Sequence, residues 1–278
     1  MYNIGYYCIA SFGFMSKSIE VSALSREKRQ TYFRNSHHIS VMNIRTMTGS
    51  FPFYYAEDLV LTPDYATVAS AQMAIRYLTD QGIEEAKVAD IGTGSGIFAS
   101  SLILADNQHL VSQILASDIY NAALISAEYN IQAAKAMMGM IEKPAVELLE
   151  RDWLEDVYGK FDIIHFDPPY LTSHTPVTKL KPEFHLNPLH TMYVPYPTYH
   201  YAAIFESLPK NVKKGTLVIL RIPTRDQVKK KAILGSIYAS LNSVEIRELL
   251  YLDSHFVTAD DNNRHIIPEA RYLTLCFN

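Results

Sequence analysis

The chain has 278 residues, of which 48% are hydrophobic and 19% are charged, and its formal net charge is −4. This composition is typical of a soluble globular protein, and the mild acidity argues against a large nucleic-acid footprint, although a small local one stays open. Cys8 and Cys276 lie at opposite ends, so the sequence has neither a disulfide framework nor a cysteine metal cluster. We expect one large domain, or a domain with a small appendage, in a reducing cytoplasmic setting.

The N-terminal part, residues 1–56, is interpreted as an extension or cap before a main domain at residues 57–278. Its first 14 residues are apolar, but they lack the basic start of a signal peptide and are too short to span a bilayer. Met15 stands in a plausible start context, so both Met1 and Met15 are candidate first residues.

Two features precede the first strand of the main domain. The aromatic run at residues 51–55 needs burial, either against the main domain or over its site. Thr62 suits a helix N-cap and Pro63 the first helical position. Apolar residues then recur at helical spacing until Gly82, which predicts a helix between Pro63 and Gly82.

The segment Val-Ala-Asp-Ile-Gly-Thr-Gly-Ser-Gly at residues 88–96 indicates a ligand-binding turn. A short strand ends in Asp90, and an apolar helix follows the turn. Glycines let the backbone turn sharply and let a ligand approach without a Cβ in the way. An ordinary strand-to-helix turn is the alternative, but alternate glycines directly after an acid favour a nucleotide-type site. The candidate ligand contacts are Asp90, Gly92, Thr93, Gly94 and Gly96.

The next two strands end in further candidate contacts. Asp118 and Ile119 end a strand predicted over residues 110–119, and a carboxylate there suits a ribose diol because it accepts two hydrogen bonds at once. Asp152 and Trp153 follow the third strand and suit an adenine pocket, with the acid accepting from the exocyclic amine. A surface acid and a core tryptophan are the alternative interpretations.

A second motif follows the fourth strand, where an apolar run from Phe161 leads into Asp167-Pro168-Pro169-Tyr170. The prolines cannot continue a strand ladder, so Asp167 is held at the carboxyl end of the strand. A stiff turn is the alternative. Parallel strands bring both motifs to the same sheet edge, where ligands bind, and the combination therefore favours one site.

These motifs, in this order, resemble class I S-adenosylmethionine-dependent methyltransferases of the PrmC/HemK group, which modify a glutamine amide nitrogen in release factors. The resemblance covers residues 57–170. It implies a Rossmann-like α/β fold, a seven-stranded sheet with the last strand antiparallel, and S-adenosylmethionine across the glycine turn. One motif departs from the group: the glutamine enzymes have Asn-Pro-Pro-Tyr. Asp167 is instead similar to amino-methyltransferases that act on the exocyclic amine of adenine.

The chemistry expected of this motif is nitrogen activation. If Asp167 and the carbonyl of Pro168 accept hydrogen bonds from the two N–H groups of the substrate nitrogen, the lone pair of this nitrogen points at the methyl group. Tyr170 can stack on a planar substrate. Positioning should supply most of the acceleration, and Asp167 need take the proton only after transfer.

Beyond this motif, residues 171–201 are rich in histidine, tyrosine and proline without tight ligand spacing, so we expect a substrate lid and no metal site. The sequence then predicts a buried strand at Gly215–Ile222, a helix at 226–241, and a final pair of strands at 244–252 and 271–277.

The sequence thus predicts a cytoplasmic enzyme that transfers a methyl group from S-adenosylmethionine to an amino or amide nitrogen. The acceptor is a small molecule, a protein side chain or an RNA base, and neither duplex DNA nor a membrane is expected as a partner. Transfer of a different alkyl group, or cyclisation, is one alternative. A catalytically silent cofactor-binding protein is the other, although the intact Asp-Pro-Pro-Tyr argues against it.

Overall fold

The computed structural model describes most of the chain. The described residues are 39–46, 49–56, 59–63, 65–140, 142–169, 171–172, 191–196, 198–222, 227–241, 244–249 and 271–277. The expectations for residues 1–38, for Tyr170 and for most of the lid lie outside them.

Nine strands and five α-helices are described. The strands are β1 (Ile39–Thr46), β2 (Gly49–Ala56), β3 (Ala86–Ile91), β4 (Val111–Asp118), β5 (Ala145–Glu150), β6 (Phe161–Phe166), β7 (Val212–Ile222), β8 (Val244–Leu249) and β9 (Arg271–Phe277). The helices are α1 (Tyr65–Gln81), α2 (Ile97–Ala105), α3 (Asn121–Met137), α4 (Tyr199–Ser207) and α5 (Gln227–Ser240).

Seven strands form one sheet in the order β5-β4-β3-β6-β7-β9-β8. Strands β3 to β7 run parallel, and β9 is antiparallel to both neighbours. The predicted α/β sheet with an antiparallel last strand is therefore confirmed. The chain builds outward from β3 through β4 to β5 and then returns to place β6 on the other side of β3. Ligands bind in such sheets where the strand order reverses, at the carboxyl ends of the strands.

The hairpin β1–β2 packs against this sheet domain. Phe51 and Phe53 are 2% and 0% exposed and belong to the same core cluster as α1, α2 and β3, so the aromatic run is buried against the main domain. The fully buried Asn130 on α3 joins the hairpin to the rest of the fold. Its side chain accepts from the amide of Tyr54 at 3.0 Å and donates to the carbonyls of Tyr54 and Ser95, both at 2.8 Å.

Two predicted boundaries are wrong. Helix α1 begins at Tyr65, while residues 61–63 have no regular secondary structure. The helix therefore begins two residues after the predicted first helical position at Pro63. Strand β7 begins at Val212, three residues before the predicted start at Gly215. The pairing of β6 with β7 has a register irregularity in the added part of the strand, where Gly215 has a φ of 82°.

Replacement of Asn130 by alanine should lower the free energy of unfolding by about 3 kcal/mol, because it leaves buried backbone groups without partners. Urea denaturation measures the change. The matched control on the same helix is Asn121→Ala, because the Asn121 amide makes an exposed 3.3 Å contact with Glu150 and its loss should change stability little. Equal effects of the two substitutions would contradict the bridging role of Asn130.

Candidate active site

A cleft of about 440 Å³ opens at the carboxyl ends of β3, β4, β5 and β6. It brings together most of the residues that the sequence predicts for the site. Those that line it are Asp90, Gly92, Thr93, Gly94, Asp118, Ile119, Asp152, Trp153 and Asp167. Gly96 and Pro168 do not line it, and Tyr170 lies outside the described residues.

Gly96 fixes the position of the glycine turn. It has a φ of 76°, and a Cβ added there would lie 2.7 Å from the Cα of Ala127 on α3, closer than any real contact. Only glycine lets the turn rest directly on the backbone of α3. On the ligand side, a Cβ at Gly92 or Gly94 would stand against Trp153 or Val60, which both line the cleft. Side chains at these two positions would therefore occupy part of the cleft.

Asp90 holds the turn from beneath. It is 1% exposed and accepts hydrogen bonds from the Thr93 hydroxyl at 2.6 Å and from the amide of Ala99 at 3.3 Å. Its other oxygen lies 3.0 Å from Nδ1 of the buried His165, whose ring stacks on Phe98 with centroids 3.9 Å apart. Asp90 and Thr93 line the cleft, and their polar atoms are bonded to each other and to the turn. The sequence assigned no role to His165.

Asp118 closes the cleft beside the turn. One carboxylate oxygen accepts from the amide of Gly94 at 2.9 Å, and the other accepts from the amide of Tyr120 at 3.0 Å. Burial raises the pKa of this carboxyl above its usual 3.8, while the backbone hydrogen bonds act in the opposite direction. Ile119 and Tyr120 remain 53% and 42% exposed at the rim, so they form an apolar edge.

An aromatic group forms another part of the wall of the cleft. The ring of Trp153 lies 4.8 Å from that of His200, which in turn lies 4.9 Å from Tyr199 at the start of α4. Burial lowers the pKa of His200, and the charge of Asp152 offsets part of that shift. A neutral His200 is therefore favoured at neutral pH. The sequence placed His200 in the lid without a role, because its neighbours come together only through packing.

Asp167 lies at the end of β6 between two donors from other elements. Arg221 at the end of β7 donates to Oδ2 at 2.8 Å, and the hydroxyl of Thr67 on α1 donates to the same oxygen at 3.1 Å. Sequence reasoning missed both partners. Arg221 could have been found as the one charge within the apolar strand Gly215–Ile222, at the same sheet edge as Asp167.

The described part of the chain brings together no group of three or more histidine, cysteine, aspartate or glutamate side chains that could hold a metal ion. Within the same residues, no helix has the length and apolar character needed to cross a membrane.

Comparison with known proteins identifies several similar proteins. Residues 68–185 match the family model of the methyltransferase small domain. A release factor glutamine methyltransferase of Chlorobaculum tepidum is 23% identical over 195 residues, which are 69% of this chain and 65% of that protein. The protein of the same name from Bordetella pertussis is 34% identical over 114 residues, 40% of this chain and 37% of that protein. The chain thus spans less than two thirds of the length of these curated relatives.

One solved structure shows the fold. It is the 16S rRNA N2 G1207 methyltransferase of T. thermophilus in complex with AdoMet and guanosine, which superposes with a TM-score of 0.50 at 12% sequence identity. The superposition covers 86% of this chain and 51% of the chain of that structure. At this identity the likeness shows the fold alone. The predicted class I methyltransferase fold and the resemblance to the PrmC/HemK group are confirmed.

Replacement of Gly96 by alanine should cost about 3 kcal/mol or more of stability, because its Cβ meets backbone atoms of α3 that cannot move away. Gly139→Ala is the matched control, since Gly139 has a similar φ of 67° but nothing within 4 Å of an added Cβ. It should cost only about 1 kcal/mol for the left-handed backbone. Chemical denaturation compares them, and equal losses would contradict the close packing.

Proposed function

We propose that this chain transfers a methyl group from S-adenosylmethionine to an amide or amino nitrogen, in the cytoplasm. One observation carries the proposal. A single cleft joins a glycine turn that is open to a ligand, the carboxylate of Asp118, and the carboxylate of Asp167. A binding turn without Asp167 would indicate only a nucleotide site, whereas an acceptor for N–H groups beside it indicates chemistry at nitrogen.

The residues of the cleft fit the cofactor. The turn at Gly92 and Gly94 leaves room where side chains would intrude, and Asp118 offers a carboxylate to the ribose diol. Asp152 and Trp153 also line the cleft, and an acceptor with an aromatic face suits adenine. When bound, S-adenosylmethionine supplies an electrophilic methyl group on a sulfonium, with a neutral thioether as its leaving group.

Asp167 is the residue that acts on the acceptor nitrogen. The nitrogen of an amide or aromatic amine is a poor nucleophile because its lone pair is delocalised. A hydrogen bond donated by this nitrogen to Asp167 orients its lone pair. The carboxylate then takes the proton that the nitrogen loses on methylation. The carbonyl of Pro168 is proposed as the second N–H acceptor, and Tyr170 as a stacking surface for a planar substrate.

A protein amide is the first acceptor to test. The two curated relatives are named release factor glutamine methyltransferases, which supports an amide nitrogen in a protein side chain. An RNA base or a small molecule would meet the same Asp167, and the assay below separates the three.

Methyl-labelled S-adenosylmethionine should label an acceptor when it is incubated with the chain, cell extract and purified release factors. Label in acid-precipitated material that is removed by protease indicates a protein acceptor, and label removed by nuclease indicates RNA. A labelled soluble product indicates a small-molecule acceptor.

Asp167→Ala should reduce the rate of methyl transfer by roughly 100-fold through loss of positioning, while the affinity for the cofactor is retained. Asp80→Ala, on the exposed face of α1, is the control.

Three outcomes would contradict the proposal. Label found only in methylthioadenosine would exclude methyl transfer. Transfer that is unchanged in Asp167→Ala would remove Asp167 from the chemistry. Cofactor binding without any labelled product would favour a silent binding protein.

The affinity for S-adenosylmethionine should fall on acidification at a pH above 3.8, because burial raises the pKa of Asp118 and the protonated carboxyl loses an acceptor for the diol. Calorimetric titration across pH measures this affinity, and Asp118→Asn should bind weakly without the same pH step.

The raised pKa of Asp118 also means that folding favours the protonated form of its carboxyl. The contribution of Asp118 to stability therefore falls as pH rises from its unfolded to its folded pKa.

A further inference from the structure

Asp167 receives two donors on a single oxygen. The guanidinium of Arg221 and the hydroxyl of Thr67 both bond to Oδ2, at 2.8 and 3.1 Å. Within the described ranges, Oδ1 has no hydrogen-bond partner. The pair is largely shielded from water, since the side chains of Arg221 and Asp167 are 16% and 15% exposed. The carboxylate is therefore held at one oxygen and left available at the other.

The elements around Arg221 hold it in this position. It lies near the carboxyl end of β7, whose residues 217–220 pair with residues 163–166 of β6, and Asp167 directly follows β6. The hydroxyl of the fully buried Tyr201 on α4 donates to the carbonyl of Arg221 at 2.9 Å. Arg221 thus approaches Asp167 from a backbone that is fixed on both sides.

The two partners of Oδ2 differ in what they can accept. A hydroxyl can donate or accept, so Thr67 could adapt to a different group at position 167. A guanidinium can only donate, so the atom facing Arg221 must be an acceptor. A carboxylate satisfies Arg221 with Oδ2 and still offers Oδ1. A carboxamide has a single oxygen. If that oxygen takes the place of Oδ2 and faces Arg221, the NH₂ group takes the place of Oδ1, where it cannot accept a substrate N–H.

We propose that Arg221 is a positioning residue that aims Oδ1 of Asp167 at the acceptor nitrogen and makes the site require aspartate at this position. This inference rests on the proposed function and deepens it. An asparagine at this position has two orientations. In one, its NH₂ group faces the guanidinium of Arg221, so that two donors meet. In the other, its NH₂ group faces the substrate nitrogen and cannot accept the N–H.

The experiment compares four proteins: the wild type, Asp167→Asn, Arg221→Gln and the double variant. Asp167→Asn should lose roughly tenfold or more in methyl transfer from labelled S-adenosylmethionine to acceptors in the extract, since an NH₂ group then faces either Arg221 or the substrate in place of an acceptor. In the double variant, the introduced glutamine can present its carbonyl to the NH₂ group of the introduced asparagine, whose oxygen is then free for the substrate. The double variant should therefore transfer methyl faster than Asp167→Asn alone. Affinity for S-adenosylmethionine, measured by calorimetry, should stay the same in all four.

Asp162→Asn is the matched control. Asp162 is also on β6 and pairs with Lys213 of β7 at 2.7 Å, but it lies at the other end of the strand and does not line the cleft. This substitution should lower the melting temperature and leave the transfer rate of the folded protein unchanged. A fall in transfer that matches that of Asp167→Asn would mean that β6–β7 ion pairs act only through stability.

The inference is overturned if Asp167→Asn is as active as the wild type, or if the double variant is no faster than Asp167→Asn. The melting temperatures of the four proteins keep it testable even if the wild type transfers no methyl and the proposed function fails. If the melting temperature lost in Asp167→Asn is recovered in the double variant, the result supports the clash between the two donors. If the losses of melting temperature in the two single variants add in the double variant, the result contradicts it.

Discussion

The contact between Gly96 and the backbone of α3 at Ala127 determines where the site lies. Any side chain at position 96 would push the turn away from α3, and the turn carries the cleft-facing Gly92 and Gly94 with it. Further polar contacts hold the same turn. Asp90 bonds to Thr93 at its base, and Asn130 links its carbonyl at residue 95 to the β1–β2 hairpin. Packing and hydrogen bonding therefore act on one short segment of backbone.

The parallel sheet brings residues that are far apart in the sequence close to this turn. Asp118 ends β4 and Asp167 follows β6, and both face the cleft because β4 and β6 flank β3 in the same direction. Their environments give the two carboxylates different tasks. Asp118 is bonded by backbone amides and has a raised pKa, whereas Asp167 is bonded by an arginine and a threonine. The first lies where the ribose diol is proposed to bind, and the second offers its remaining oxygen to the N–H groups of a substrate.

The strands and turns could be predicted because local chemistry determines them. The glycines after Asp90 and the prolines after Asp167 mark strand ends, and hydrophobic runs mark β3, β4 and β6 within one or two residues of their observed bounds. The contacts between the site residues and their partners could not be predicted, even though Arg221 stands out as the one charge in an apolar strand. Which side chain meets Asp167 depends on the register of β6 against β7 and on the placement of α1, and neither follows from spacing. For the same reason His165 and His200 went unassigned, since each acquires its role from packing.

Binding of S-adenosylmethionine in the cleft beside the glycine turn can be tested directly through the single tryptophan of the chain. Trp153 lines this cleft, so its fluorescence reports on the site without a label. Titration with S-adenosylmethionine should change the emission saturably, and Asp118→Asn should weaken the response. An emission that stays constant up to millimolar S-adenosylmethionine, with the protein folded, would contradict cofactor binding in this cleft.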